Sequence, residues 1–164
     1  MTDLKFRGIE FSGVTTYQSW VDLWILNRVL NQLKPEFIVE IGTALGGSAL
    51  FLSNYAEVHT FDVNKGMKKT NDKIHFHHED CFKSSTLKNL LADKQRKLLY
   101  CDGGNKIKEF NTFAKMLNPN DYVLVHDWNA EISEKDIDIT GFRYILKDEC
   151  EELGSYIRGF TKNE

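Results

Sequence analysis

Pro35-Glu36-Phe37-Ile38-Val39-Glu40-Ile41-Gly42-Thr43-Ala44-Leu45-Gly46-Gly47-Ser48 runs from a proline through an apolar stretch into a glycine-rich turn. The proline disfavours helix at the residue before it, so a helix ends there and the chain turns into a strand. Phe37 to Ile41 then reads as a buried strand, and a second helix runs from about Gly47 to Tyr55. Glycines at a strand-to-helix turn permit a sharp bend and a close approach of backbone to a ligand. The free N–H groups at the helix start can meet a carboxylate or another polar group.

The same alternation extends in both directions. Upstream, a helix is expected from about Thr16 to Leu33, with Trp20, Trp24, Val29 and Leu33 on roughly one face and Val21, Ile25 and Leu30 widening it. Packing on a sheet is the expected role of its aromatic residues Tyr17, Trp20 and Trp24; a pocket lining or a subunit contact is the alternative. Downstream, strands are expected at Val58–Asp62, Ile74–His78, Leu98–Asp102 and Tyr122–His126, with helices at Leu87–Ala92 and Ile107–Leu117. Pro119 punctuates the approach to the last of these strands as Pro35 does the first. Apolar strands alternating with helices imply a mostly parallel sheet covered on both faces, and right-handed crossovers make it doubly wound. The fold class is therefore α/β, Rossmann-like. Beyond Trp128 the reading gives one helix around Phe142–Glu152 and one strand near Ser155–Phe160.

Ligands in such sheets bind beyond the carboxyl ends of the strands. Gly42, Asp62, Asp80, Asp102 and Asp127 all fall there. A dinucleotide fingerprint, G-x-G-x-x-G, is not met: counting from Gly42 gives Gly42, Ala44 and Gly47, without the middle glycine that admits a pyrophosphate. Glu40, at the end of its strand, suits a ligand carrying an ammonium group better than one carrying phosphates. A nicotinamide-dependent oxidoreductase is disfavoured on these grounds. His75 and His77 would share a strand face, but no matching ligand cluster is visible nearby, and with His78 they read as strand residues rather than metal ligands.

The bulk numbers fit one domain spanning residues 1–164. Of the residues, 41% are hydrophobic and 27% charged, as in an ordinary globular protein. A net charge of −3 lacks the basic footprint of a nucleic-acid binder. Cys81, Cys101 and Cys150 form no CxxC pair and fit no zinc module, so they read as reduced thiols of a cytoplasmic protein. Met1 to Glu10 carries charges and no long apolar run, so no signal peptide is expected, and no stretch is apolar for the length of a membrane helix. Monomer or homo-oligomer is left open.

From Pro35 to Leu52 the chain resembles the first motif of class I S-adenosyl-L-methionine-dependent methyltransferases, of the small-molecule O-methyltransferase type. The resemblance extends over roughly Leu33 to Trp128. It implies that Glu40, Gly42, Thr43, Gly46 and Ser48 hold the methionine end of the cofactor. It makes Asp62 the ligand of the ribose hydroxyls, and puts Asp80 and Cys81 at the adenine. Asp102 and Asp127 match positions that ligate a divalent ion, such as magnesium, in the metal-dependent members, and Asp102 also borders the cofactor. His126 is the neighbouring candidate for a general base. The implied partner is a small-molecule acceptor, a sugar or a phenol, methylated on a hydroxyl. Relatives commonly show Asp-Gly-Asp-His after the fourth strand, where this chain has Asp102-Gly103-Gly104-Asn105. That departure motivates the alternative of a non-catalytic or repurposed S-adenosylmethionine-binding protein. The family's sheet order is 3-2-1-4-5-7-6, and the residues after Asp127 predict a shortened or rearranged terminal hairpin.

Overall fold

The computed structural model describes residues 9–164; residues 1–8, most of the stretch read for a leader, lie outside the described residues. A short antiparallel hairpin, β1 (Ile9–Phe11) and β2 (Val14–Thr16), precedes helix α1 (Trp20–Leu33). Then follow β3 (Phe37–Ile41), α2 (Gly47–Leu52), β4 (Glu57–Asp62), β5 (Ile74–His78), α3 (Ser85–Ala92), β6 (Lys97–Cys101), α4 (Lys106–Phe113) and β7 (Tyr122–Val125). The chain ends with β8 (Phe142–Ile145), α5 (Lys147–Glu152) and β9 (Arg158–Lys162). A 3-10 turn, Ala114–Met116, extends α4 towards the end expected from the sequence.

Seven strands form one sheet in the order β5-β4-β3-β6-β7-β9-β8. Strands β5, β4, β3, β6 and β7 are parallel, and β9 is antiparallel to both β7 and β8. Counted along the chain this is 3-2-1-4-5-7-6, so the terminal hairpin is short but not rearranged. The alternation of side chains divides the apolar residues between two faces. Ile38, Val58, Leu98 and Leu124 pack with Leu26, Leu30 and Leu33 of α1 and Leu50 and Leu52 of α2. Val39, Leu99, Val123 and Phe160 pack with Leu87 and Leu91 of α3 and Phe110 and Phe113 of α4.

Two expectations are corrected. Helix α1 begins at Trp20 rather than near Thr16, because Ser19 caps it: the Ser19 hydroxyl accepts from Asp22 N and the Asp22 carboxylate accepts from Ser19 N. Its buried stripe is Leu23, Leu26, Val29, Leu30 and Leu33, and Trp20 and Trp24 stand 67% and 43% exposed instead of packing on the sheet. Phe142–Ile145 is a strand, not the start of a helix. Tyr144 and Phe142 place their rings against Phe160 and Phe110 at 4.6 and 5.8 Å. Gly159 lets the strands close up, since a Cβ there would meet Ile145 Cγ1 at 2.6 Å. Leu146, in the left-handed region at φ 50°, separates this strand from α5.

At the opposite end of the sheet from the strand-end carboxylates, Lys97 and Asp121 form a buried ion pair at 2.8 Å. Asp121 also accepts from Lys97 N and Asn118 N, so its lone pairs are well used and it ties the start of β6 to the start of β7. No helix among the described residues is long and apolar enough to cross a membrane.

Candidate active site

The order of strands reverses between β3 and β6, and the carboxyl ends of these strands open into a cavity of about 640 Å³. Gly42, Thr43 and Ser48 line it, as do Asp62, Asp80, Cys81, Asp102, His126 and Asp127. The sequence-read candidates thus converge on one place, with two exceptions. Gly46 forms the left-handed N-cap of α2 at φ 89° behind the lining. Glu40 is wholly buried beneath the turn.

The glycine turn is held from within. Asp62, at the end of β4, accepts from Thr43 N and Ala44 N at 3.0 Å each and from Asn64 N at 2.8 Å. Below it the Thr43 and Thr60 hydroxyls lie 2.6 Å apart, and Thr60 donates to Glu40 Oε2 at 2.6 Å. Burial pushes the Glu40 carboxyl up to about 8, against the nearby Ser48 and the bonded Thr60 hydroxyls, so it is protonated at neutral pH. Its Oε1 is buried without a hydrogen bond.

Asp80 accepts from Phe82 N at 3.0 Å and pairs with Lys83 at 3.2 Å, and the Phe82 bond leads in holding its carboxyl below the usual range. It makes a tight turn and does not cap α3, whose cap is Ser84. Cys81 stays a thiol: burial, with Glu109 and Asp80 close, pushes it up to about 12.

At the ends of β6 and β7 the charges concentrate. His126 Nδ1 lies 3.0 Å from Asp102 Oδ1 and 3.4 Å from Asp127 Oδ1, and its Nε2 lies 3.5 Å from Asp22 Oδ2. Burial alone would lower its pKa, but the attraction of Asp102, the contacts of Nδ1 with Asp102 and Asp127, and the Asp22 carboxylate beyond Nε2 push it up to about 12. The ring is then an imidazolium, with Nδ1 facing Asp102 and Asp127 and Nε2 buried without a hydrogen bond 3.5 Å from Asp22, and it has no lone pair for a proton or a metal. Burial would raise Asp22, but the His126 ring nearby and the Ser19 and Ser155 bonds hold it down at about 2. The His126 bond, then Lys106 at 2.9 Å, depresses Asp127 well below the carboxylate range. Asp127 sits at φ 58°, a left-handed conformation that marks a built position rather than a relaxed strand end.

These charges give a pH signature. An imidazolium with a raised folded pKa contributes stability that is complete below pH 6.5 and lost as pH rises towards 12. Asp22, depressed, contributes above 3.8 and loses it as pH falls towards 2. Thermal midpoints measured against pH are expected to fall steadily above pH 6.5, and His126→Gln is expected to flatten that limb. An unchanged alkaline limb in the variant would remove His126 as its source.

Several site residues carried no sequence signal. Gln18, between β2 and α1, donates to Asp102 Oδ2 at 2.5 Å, and Thr16 donates to Gln18 Oε1. Asp22 comes from the first turn of α1, and Lys106 from the first turn of α4. Glu109 accepts from Gly103 N and Asn105 N at 3.1 Å each and so fixes the loop where the sequence departs from its relatives. Asn105 caps α4 through Lys108 N. The capping box of Ser19 and Asp22 was readable as a helix start, but not its link to His126.

Residues 5–81 match the family Rhamnosyl O-methyltransferase/CmcI. The chain has a class I methyltransferase fold. In sequence it resembles the small-molecule O-methyltransferases of that class. It is 31% identical over 52 residues to the rhamnosyl O-methyltransferase of Mycobacterium bovis, a match covering 32% of this chain and 21% of that one. The Mycobacterium leprae rhamnosyl O-methyltransferase is 38% identical over 42 residues, 26% of this chain and 18% of its own. The chain thus spans about a fifth of the length of the curated relatives it matches. The fold is shared with a Klebsiella pneumoniae protein described as an O-methyltransferase, with a TM-score of 0.64 and 10% identity over 89% of this chain and 81% of that one. It is shared too with a CmcI structure holding SAH, with a TM-score of 0.60 and 16% identity over 73% of this chain and 66% of that one.

Proposed function

We propose that the chain binds S-adenosylmethionine in the cavity and transfers its methyl group to a hydroxyl of a small molecule, a sugar or a phenol, acting as one unit. The observation that carries this reading is the convergence of the glycine turn, Asp62, Asp80 and the Asp102/Asp127 pair on one cavity. The relatives named rhamnosyl O-methyltransferases support a sugar hydroxyl as the acceptor.

S-adenosylmethionine supplies the methyl group as an electrophilic sulfonium, which becomes a neutral thioether when an acceptor oxygen attacks in line. The turn from Gly42 to Ser48 offers a close backbone approach to the methionine end, its Gly42, Thr43, Ala44 and Gly46 N–H groups being bonded within the protein. Glu40 Oε1 is buried without a bond beneath the turn, and an amino group bound above it would draw the proton off this carboxyl and pair with the carboxylate. Three backbone N–H bonds leave the Asp62 carboxylate about one acceptor site, on Oδ1, for a ribose hydroxyl. Phe82 offers a ring for the adenine, beside Asp80 and Cys81.

Ligand atoms of Asp102, His126 and Asp127 lie within 4.8 Å of one another. Two carboxylates fit a hard divalent ion such as magnesium, and the imidazole nitrogen admits the manganese or zinc class as well. Such an ion would lower the pKa of the acceptor hydroxyl. Asp102 and Asp127 would hold it. His126 would ligate through Nδ1 once its proton leaves, with Asp22 behind Nε2 fixing the ring.

Titration calorimetry with S-adenosylhomocysteine, with and without magnesium, tests the cofactor. Binding is expected in the micromolar range or tighter, weakened about tenfold or more in Asp62→Ala, roughly the loss of a charge-assisted bond to a ribose. No binding in either condition would sink the reading. A second reading, binding without catalysis, is favoured by one observation: the His126 imidazolium already neutralises the carboxylates a metal would need. It expects S-adenosylhomocysteine affinity but no methylation across a panel of hydroxyl acceptors with magnesium or manganese.

A further inference from the structure

The second concentration of ligating side chains lies at the far edge of the sheet, away from the cavity. Parallel pairing sets His59 beside His75 and Phe61 beside His77, so Glu57, His59, His75 and His77 share one face of β4 and β5. None of these four lines the cavity. The His59 and His75 rings stack at 4.7 Å with 21° between planes, and His59 and His77 at 5.4 Å with 20°. His59 Nδ1 lies 3.1 Å from His77 Nε2, and His75 Nε2 lies 4.0 Å from Glu57 Oε2. The ligand atoms of Glu57, His59 and His75 all fall within 4.8 Å of one another.

We propose that Glu57, His59 and His75 bind a divalent ion of the zinc class, with His77 orienting the His59 ring. Two imidazoles and a carboxylate are a mixed nitrogen and oxygen set, which selects zinc, cobalt, nickel or copper over magnesium and calcium. Bond lengths of about 2.0–2.1 Å put tetrahedral ligand atoms ~3.4 Å apart, so the His75 ring must turn out of its stack on His59 and Glu57 must swing in to close the site. The groups that must rotate are free to do so: the His75 and Glu57 side chains are 43% and 61% exposed. His59 is the anchored member. In the tautomer in which His59 Nδ1–H donates to His77 Nε2, His59 Nε2 carries the lone pair, the usual arrangement behind a metal-bound histidine. Three protein ligands leave a fourth position for water or a second molecule. Because β5 is an edge strand, an ion here fastens it to β4, where unpaired backbone otherwise invites fraying or pairing with another chain. This inference is independent of the proposed methyl transfer.

The test is zinc binding by competition with a chromophoric chelator, together with thermal melts, on the full chain. His75→Ala and Glu57→Gln change exposed side chains and are expected to fold. Asp102→Asn reports on the cluster in the cavity. One zinc equivalent is expected to weaken at least tenfold in His75→Ala and in Glu57→Gln and to be unaffected by Asp102→Asn. His77→Ala is expected to weaken the same equivalent about tenfold, as removing a partner behind a metal ligand does. Zinc is expected to raise the melting temperature of the wild type through this site, and magnesium is not. Wild type that binds no zinc overturns the proposal. So does unchanged zinc affinity in His75→Ala, or a zinc equivalent lost only in Asp102→Asn; in each case the histidines are only a stacked, hydrogen-bonded pair of strands.

Discussion

Replacing Gly42 with alanine is expected to cost about 4 kcal/mol of stability and to abolish measurable binding of S-adenosylhomocysteine. Two effects add. Gly42 has φ 93°, where a Cβ is strained whatever the space, a cost of about 1–3 kcal/mol. The space is also missing. A Cβ would collide with the Asp102 carbonyl oxygen and stand 2.7 Å from Asp102 C and 2.8 Å from Gly103 Cα. These are backbone atoms, and they cannot rotate away as a side-chain tip would. The ends of β3 and β6 must part, and the bonds from Gly42 N to Phe61 O and from Asp102 N to Ile41 O, both 2.9 Å, strain with them. Urea unfolding measures the stability change and calorimetry the binding. Near-wild-type values for both would mean that the turn relaxes freely, and would remove the close approach of these strands as the basis of the site.

Asp127→Asn is expected to lower methyl transfer about 10³-fold, roughly 4 kcal/mol of barrier, while S-adenosylhomocysteine affinity changes only a few-fold. Asparagine tolerates the left-handed backbone at φ 58° and keeps the shape. The Asp127 carbonyl still accepts from Ala130 N and Glu131 N, so the turn survives. What is lost is charge: the carboxylate facing Lys106 and His126 and the second anionic oxygen for a divalent ion. The split between rate and cofactor affinity separates this role from a general disturbance of the pocket. Transfer at the wild-type rate would leave Asp127 as a turn residue and no more.

What could be read from the sequence was what is local. Five parallel strands and the helices between them follow from apolar runs, two prolines and turn glycines, because backbone sterics and burial act within a few residues. The acidic strand ends Asp62, Asp80, Asp102 and Asp127 were legible for the same reason: in a parallel sheet, the carboxyl end of a strand is a position along the chain as well as a place in space. Phe142–Ile145 was not legible. Its apolar spacing admits a helix, and only the antiparallel partner β9 with the small Gly159 decides for a strand. The two tryptophans of α1 read as core, but the cap at Ser19 fixes the phase of the helix and turns them outward.

The charge state of the site was decided by tertiary structure alone. Asp22, His126 and Ser155 are far apart in sequence, yet they form one buried network, and its neighbours make His126 a cation rather than a free imidazole. The histidine cluster on β4 and β5 depends equally on register: a shift of one residue would place Glu57 and His59 on the opposite face from His75 and His77. The sequence by itself determined where the strands, turns and acids lie along the chain, since propensity and periodicity are short-range. The tertiary structure decided which of those groups meet and what charge each carries, since Coulomb energy and burial depend on distance through space.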